Sequence, residues 1–147
     1  MKHLLSETRF YFAQCVFNTS CHYSAVERIE KQRAYRGLFG WVSGANATNR
    51  AKIENLTVNG TVVAGSNKPV NDAYVGGIVG RADYADLTNL HSNVDVSIKR
   101  TAGNYWQSVG GVVGGAYYSL NVTNCSNSGN VTGWRYCAGI VGNISSG

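Results

Sequence analysis

A glycine-framed apolar block, Val75-Gly76-Gly77-Ile78-Val79-Gly80, constrains this chain more than any other stretch. It recurs as Val109-Gly110-Gly111-Val112-Val113-Gly114, as Gly139-Ile140-Val141-Gly142 and, earlier, as Gly37-Leu38-Phe39-Gly40. A repeat dictates architecture first, because one unit cannot bury its apolar face alone and does so only by stacking on its neighbours.

A second block keeps step with the first. Ile53-Glu54-Asn55-Leu56-Thr57-Val58-Asn59-Gly60-Thr61-Val62 matches Leu87-Thr88-Asn89-Leu90-His91-Ser92-Asn93-Val94-Asp95-Val96, and both match Val122-Thr123-Asn124-Cys125-Ser126-Asn127-Ser128-Gly129-Asn130-Val131. The shared Asn recurs after 34 and then 35 residues, whereas the glycine blocks drift by 40, 34 and 28. The slack falls in polar stretches around 46–49, 66–72 and 99–104, where insertions belong to loops. Each unit supplies an apolar glycine-framed strand, a strand around the Asn, and a third ending in Val62, Val96 or Val131.

These features predict an all-β chain: a parallel β-helix or β-solenoid of three to four coils, with units at about 37–75, 76–109, 110–138 and a partial one at 139–147. Apolar slots fall in register as Ile53/Leu87/Val122, Leu56/Leu90/Cys125 and Ile78/Val112/Ile140. Asn55, Asn89 and Asn124 share one position and should stack as an amide ladder, in a turn whose left-handed backbone Asn tolerates. That ladder is structural, and it warns against reading glycan sites from the many Asn-x-Ser/Thr matches in an Asn- and Thr-rich chain. The glycines serve either a positive φ or close approach between coils.

Residues 1–34 stand outside the repeat as an N-terminal flank, with 35–147 as the solenoid domain. Residues 10–17 form an aromatic apolar run that reads as a strand. Ser24-Ala25-Val26-Glu27 matches a capping box, so a short amphipathic helix is expected over about 24–34, strand and helix together serving as a cap over the first coil or as a basic docking element. The net charge of +5 resides in this front end: residues 1–52 carry Lys2, Arg9, Arg28, Lys31, Arg33, Arg36, Arg50 and Lys52 against Glu7, Glu27 and Glu30, while the remainder balances. A basic surface does not persist along the repeats, which argues against nucleic acid. No apolar run reaches the ~18 residues of a membrane span, so no transmembrane segment is expected.

With glycine blocks and Asn blocks in this order, the chain resembles the GLUG-type repeat of bacterial and archaeal surface proteins over about residues 35–147. The resemblance implies a secreted or wall-attached protein in which the repeats act as stalk or adhesive module, with no catalytic residues in the repeat itself. Extracellular or cell-surface localisation, and further domains of a longer chain, follow from it. The last block stops part-way into a fourth unit, so the sequence is expected to be a piece of that longer chain.

The residues add little reactive chemistry to this. No nucleophile elbow, metal-binding His pair or phosphate loop occurs, and no cofactor is implied. Arg81, Asp83, Asp86 and Asp95 read as solvated loop charges. Cys125 takes the slot of Leu56 and Leu90, and Cys137 that of Val75 and Val109; both face inward, either as a disulfide across the coil or as two buried thiols. Tyr84, Tyr105, Trp106, Tyr117, Tyr118, Trp134 and Tyr136 flank the glycine blocks and form the candidate binding residues, able to stack on the apolar faces of sugars. The expected function is a non-catalytic repeat module, spacer or adhesin, with glycans or other surface polymers as partners. A polysaccharide-active β-helix enzyme and a phage or secretion fibre segment are the alternatives.

Overall fold

A computed structural model of the chain describes residues 21–24, 33–64, 72–99 and 106–145. Among these there is no helix, and every strand pair is parallel. The chain winds through four coils. The first contains β1 (Cys21–Ser24), β2 (Arg33–Arg36) and β3 (Phe39–Ser43), and the second β4 (Ala51–Ala64), β5 (Asp72–Gly76) and β6 (Val79–Asp83). The third holds β7 (Ala85–Ile98), β8 (Trp106–Gly110) and β9 (Val113–Ala116). The fourth holds β10 (Leu120–Thr123), β11 (Ser126–Asn127), β12 (Val131–Thr132), β13 (Cys137–Ala138) and β14 (Val141–Ile144).

Corresponding strands build three stacks. One runs β1-β4-β7, with β10, β11 and β12 all pairing with β7; the others run β2-β5-β8-β13 and β3-β6-β9-β14. The predicted slots coincide: Ile53 pairs with Leu87 and Leu87 with Val122, Leu56 with Leu90, and Val75 with Val109 and then Cys137. This is the β-solenoid expected from the repeat. Its interior is Val58, Val62, Val75, Ile78, Val79, Leu87, Leu90, Val94, Val96, Val109, Val112 and Val113, all almost fully buried. Each such side chain contributes roughly 1.5–3 kcal/mol by leaving water.

The glycine block is a corner where a single strand was expected. β5 ends at Gly76, the chain bends at Gly77-Ile78, and β6 starts at Val79; Gly110 and Val113 repeat the geometry. Of the two roles considered for these glycines, close approach is the one observed. A Cβ on Gly76 or Gly110 would strike the carbonyl oxygen of Val79 or Val113, and one on Gly77 or Gly111 the carbonyl of Gly111 or Gly139 in the next coil. Among the described residues Gly60 is the glycine with a positive φ, at 142°.

The shared Asn makes another corner. Asn55, Asn89 and Asn124 have φ of 57°, 55° and 50°, and the pairing of β4 with β7 skips the first two. Asn89 Nδ2 donates to Asn55 Oδ1 at 2.9 Å, and Asn124 Nδ2 to Asn89 Oδ1 at 2.5 Å. A second ladder was missed: Asn93 Nδ2 donates to Asn59 Oδ1, and Ser128 Oγ to Asn93 Oδ1. Its third rung is serine, so identity at the position does not reveal it.

The helix expected over 24–34 is contradicted at both ends. Ser24 closes β1 opposite Thr61, and Arg33 and Ala34 open β2 opposite Asp72 and Ala73. Ladder pairing to an existing sheet outweighs a local capping signal. Residues 25–32, like the strand expected at 10–17, lie outside the described residues. Arg36 occupies the slot that is Val75 in the second coil; it is 5% exposed and donates Nη1 to the Val63 carbonyl at 2.7 Å.

Candidate functional site

The corner between the β3-β6-β9 stack and the following coil gathers rings from sequence positions far apart. β3 and β6 pair Trp41 with Arg81, and β6 and β9 pair Arg81 with Gly115, two residues before Tyr117. The Arg81 guanidinium carbon therefore sits over the Trp41 ring at 4.9 Å and over the Tyr117 ring at 4.8 Å, between the coils that supply them. Tyr35 lies beyond Trp41 at 5.7 Å and stacks on Tyr74 at 5.7 Å. Gly115 makes room for this, because a Cβ there would collide with the Tyr74 ring.

Beneath the rings lies Asp83, 1% exposed. Its Oδ2 accepts from Arg81 Nε at 2.7 Å and from Trp41 Nε1 at 2.9 Å, and its Oδ1 from the Tyr117 main-chain N–H at 2.8 Å. Burying a carboxylate is tolerable only with such pairing and hydrogen bonding. Burial by itself would lower the Arg81 pKa; the Asp83 charge and a side-chain hydrogen bond with Tyr35 outweigh it, and the net movement is upward. The solvated loop charge expected of Asp83 is thus corrected: it is a buried anchor holding one coil's Trp, another's Arg and a third's backbone.

Tyr84 and Tyr118 occupy the next rungs. Their rings are 4.9 Å apart and 3° from parallel, and Tyr117 leans on Tyr118 at 60°. Tyr84 holds a φ of 46°, which costs an L-residue about 1–2 kcal/mol. The ring stack offsets part of that, since aromatic pairs contribute ~0.5–1.5 kcal/mol beyond their buried area. Behind these rings Arg50 ties three coils together. Nε binds Asp86 Oδ1 at 2.6 Å, while Nη1 and Nη2 reach the Ser119 side chain and the Ala85 and Ser119 carbonyls. Bonds from Arg50 and from Asn121 hold the Asp86 carboxyl below its usual range. Asp95, also expected to be solvated, accepts from the Asn130 main-chain and side-chain N–H groups.

Of the seven aromatics singled out from the sequence, Tyr84, Tyr117 and Tyr118 meet here. Trp106 and Tyr136 form a separate parallel pair at 5.4 Å, with Tyr136 at φ 42°. Trp134 is exposed, and Tyr105 lies outside the described residues. Sequence reasoning missed Tyr35, Trp41, Tyr74 and Arg81 as members of the face. One signal was available: Trp41 follows Phe39-Gly40 as Arg81 follows Val79-Gly80, so alignment of the blocks puts them on adjacent rungs. The two cysteines expected to face inward differ from each other, and the expectation fails for Cys137. Cys125 is half-buried against the core and Cys137 is exposed; both are free thiols, near the carbonyls of Thr123 and Arg135. Among the described residues no group of His, Cys, Asp and Glu could hold a metal ion, and no helix is long and apolar enough to cross a membrane.

Comparison with curated proteins and with solved structures gives no match. A family model does match, that of the GLUG motif, at residues 71–97 and 107–132. Each segment runs from one glycine corner through the following Asn corner: β5 to β7 in the first, β8 to β12 in the second. Over these two segments the solenoid carries GLUG-type repeats, each spanning successive strands of the three stacks.

Proposed function

We propose that this chain is a non-catalytic repeat module of a secreted or cell-surface protein, acting as a spacer and as an adhesin that binds glycan through its aromatic corner. One observation carries the reading. Trp41, Tyr117 and Tyr118 stay 46%, 40% and 42% exposed while their positions are fixed by a buried carboxylate, a stacked guanidinium and a ring partner in the neighbouring coil. Rings pre-organised in this way stack on the C–H faces of a sugar without paying to order long side chains.

Tyr84 covers one face of Tyr118, and Arg81 one face of Tyr117. The register of Ile144 with Ala116 puts Ser145 on the rung beyond Tyr117, too small to cover a phenol ring.

Affinity electrophoresis in gels containing soluble polysaccharides, with the intact chain, tests the reading. Tyr117→Ala/Tyr118→Ala is the informative variant, because Asp83 is bound by the main chain of Tyr117 and the anchor survives. Retardation should fall at least about tenfold, the loss of ~1.4 kcal/mol of binding, with an unchanged circular dichroism spectrum. Retardation that survived this pair, and also Trp106→Ala/Trp134→Ala, would remove the aromatic residues as the glycan site, and no retardation of the intact chain by any polysaccharide would remove the glycan reading.

A further inference from the structure

We infer that the aromatic corner selects neutral polysaccharide over acidic polysaccharide, an inference that rests on the glycan reading above and specifies its ligand. Among the described residues the corner contains three cations, and each has an anion beside it. Arg81 is bonded to Asp83 and its side chain is only 13% exposed; Arg50, 12% exposed, is bonded to Asp86. Lys52 is exposed but pairs across the ladder with Asp86, and Glu54 lies two residues further along the same strand. Arg50, Lys52 and Arg81 therefore stand against Glu54, Asp83 and Asp86, and the charges among the described residues of the face balance.

The geometry of the two arginines reinforces the balance. Recognition of a carboxylate or sulfate sugar uses a guanidinium fork turned outward in bidentate fashion. Here the Arg81 plane lies between two rings with Nε turned toward Asp83, and Arg50 spends its three nitrogens on Asp86, Ser119 and Ala85. The nitrogens not held by a carboxylate are no freer to meet an anionic sugar: those of Arg50 are bonded to Ser119 and Ala85, and the Arg81 guanidinium is covered by the Trp41 and Tyr117 rings. Exposed ring faces and a neutral rim suit a ligand bound through apolar sugar faces and hydroxyl groups.

Affinity electrophoresis against a neutral β-glucan, a galactomannan, polygalacturonate and heparin decides this, run at about 50 mM and about 500 mM salt, which brackets strong and weak screening. The readout is the difference between the intact chain and Tyr117→Ala/Tyr118→Ala, which subtracts binding by basic residues elsewhere. The expected result is a difference with at least one neutral polymer that changes less than about twofold between the two salts, with none for the acidic pair. A difference confined to polygalacturonate or heparin, collapsing at high salt, would overturn the selectivity while leaving glycan binding standing. No difference with any of the four would remove the glycan reading and this inference together.

Discussion

The third and fourth coils place corresponding residues in the same slots, yet the two rows differ in burial. In the third coil Leu87, Leu90, Val96, Val109, Val112 and Val113 are at most 1% exposed. Their counterparts in the fourth, Val122, Cys125, Val131, Cys137, Ile140 and Val141, are half-buried or exposed. Residue type hardly differs between the two rows. A coil flanked on both sides loses its apolar surface to two neighbours, and a coil flanked on one side keeps half of it. Burial in a stack is thus a property of position along the axis.

Truncating the core should show the largest asymmetry. Leu90→Ala should cost about 2–5 kcal/mol, as a cavity in a closed interior. Cys125→Ala, on the adjacent rung, should cost under about 1 kcal/mol, since water already reaches the site. Urea denaturation of both variants checks the pair, and equal costs would break the comparison. Next comes the Asn ladder. Asn89→Ala loses a bond to each neighbouring coil and leaves alanine at φ 55°, for about 2–3 kcal/mol. Asn89→Gly removes the backbone strain and should recover about half of it.

A smaller effect should appear on acidification, at the seam between these two coils. The folded pKa of Asp86 lies below the ordinary 3.8, because Arg50 and Asn121 bind its charged form. Its contribution is therefore complete above that value and is lost as pH falls below it towards the folded pKa. Thermal melts of Asp86→Asn should show a flatter acid limb than the parent. Least consequential for stability, and most local, is thiol reactivity. Cys137 should react with iodoacetamide in the folded chain, slowed because burial pushes its thiol pKa up, whereas Val109→Cys, one rung inward, should react only on unfolding. Peptide mapping without reductant should find both Cys125 and Cys137 alkylated.

What was legible in the sequence was whatever the repeat period enforces. Parallel stacking makes residue i and its copy 34 or 35 positions later neighbours, so Ile53/Leu87/Val122 and the Asn ladder could be read from alignment alone. That the glycine block turns a corner was not legible, because a pleated run and a bend with the same apolar pair look alike until the neighbouring carbonyls are in place. The helix at 24–34 failed because a local cap signal says nothing about an available sheet edge. The aromatic corner depends on contacts that do not respect residue type: Trp41, Arg81 and Tyr117 come from three coils, with a cation between two aromatic rings, so no pattern of like residues announces them.

The amino-acid order by itself determined the coil, its period and its internal ladders, since these follow from like residues meeting like at a constant spacing. Tertiary structure alone decided that Asp83 is buried and bonded from three coils, and that its Arg81 partner is held between two rings. Those outcomes depend on which unlike side chains converge at one point in space, and that is not encoded in any single repeat.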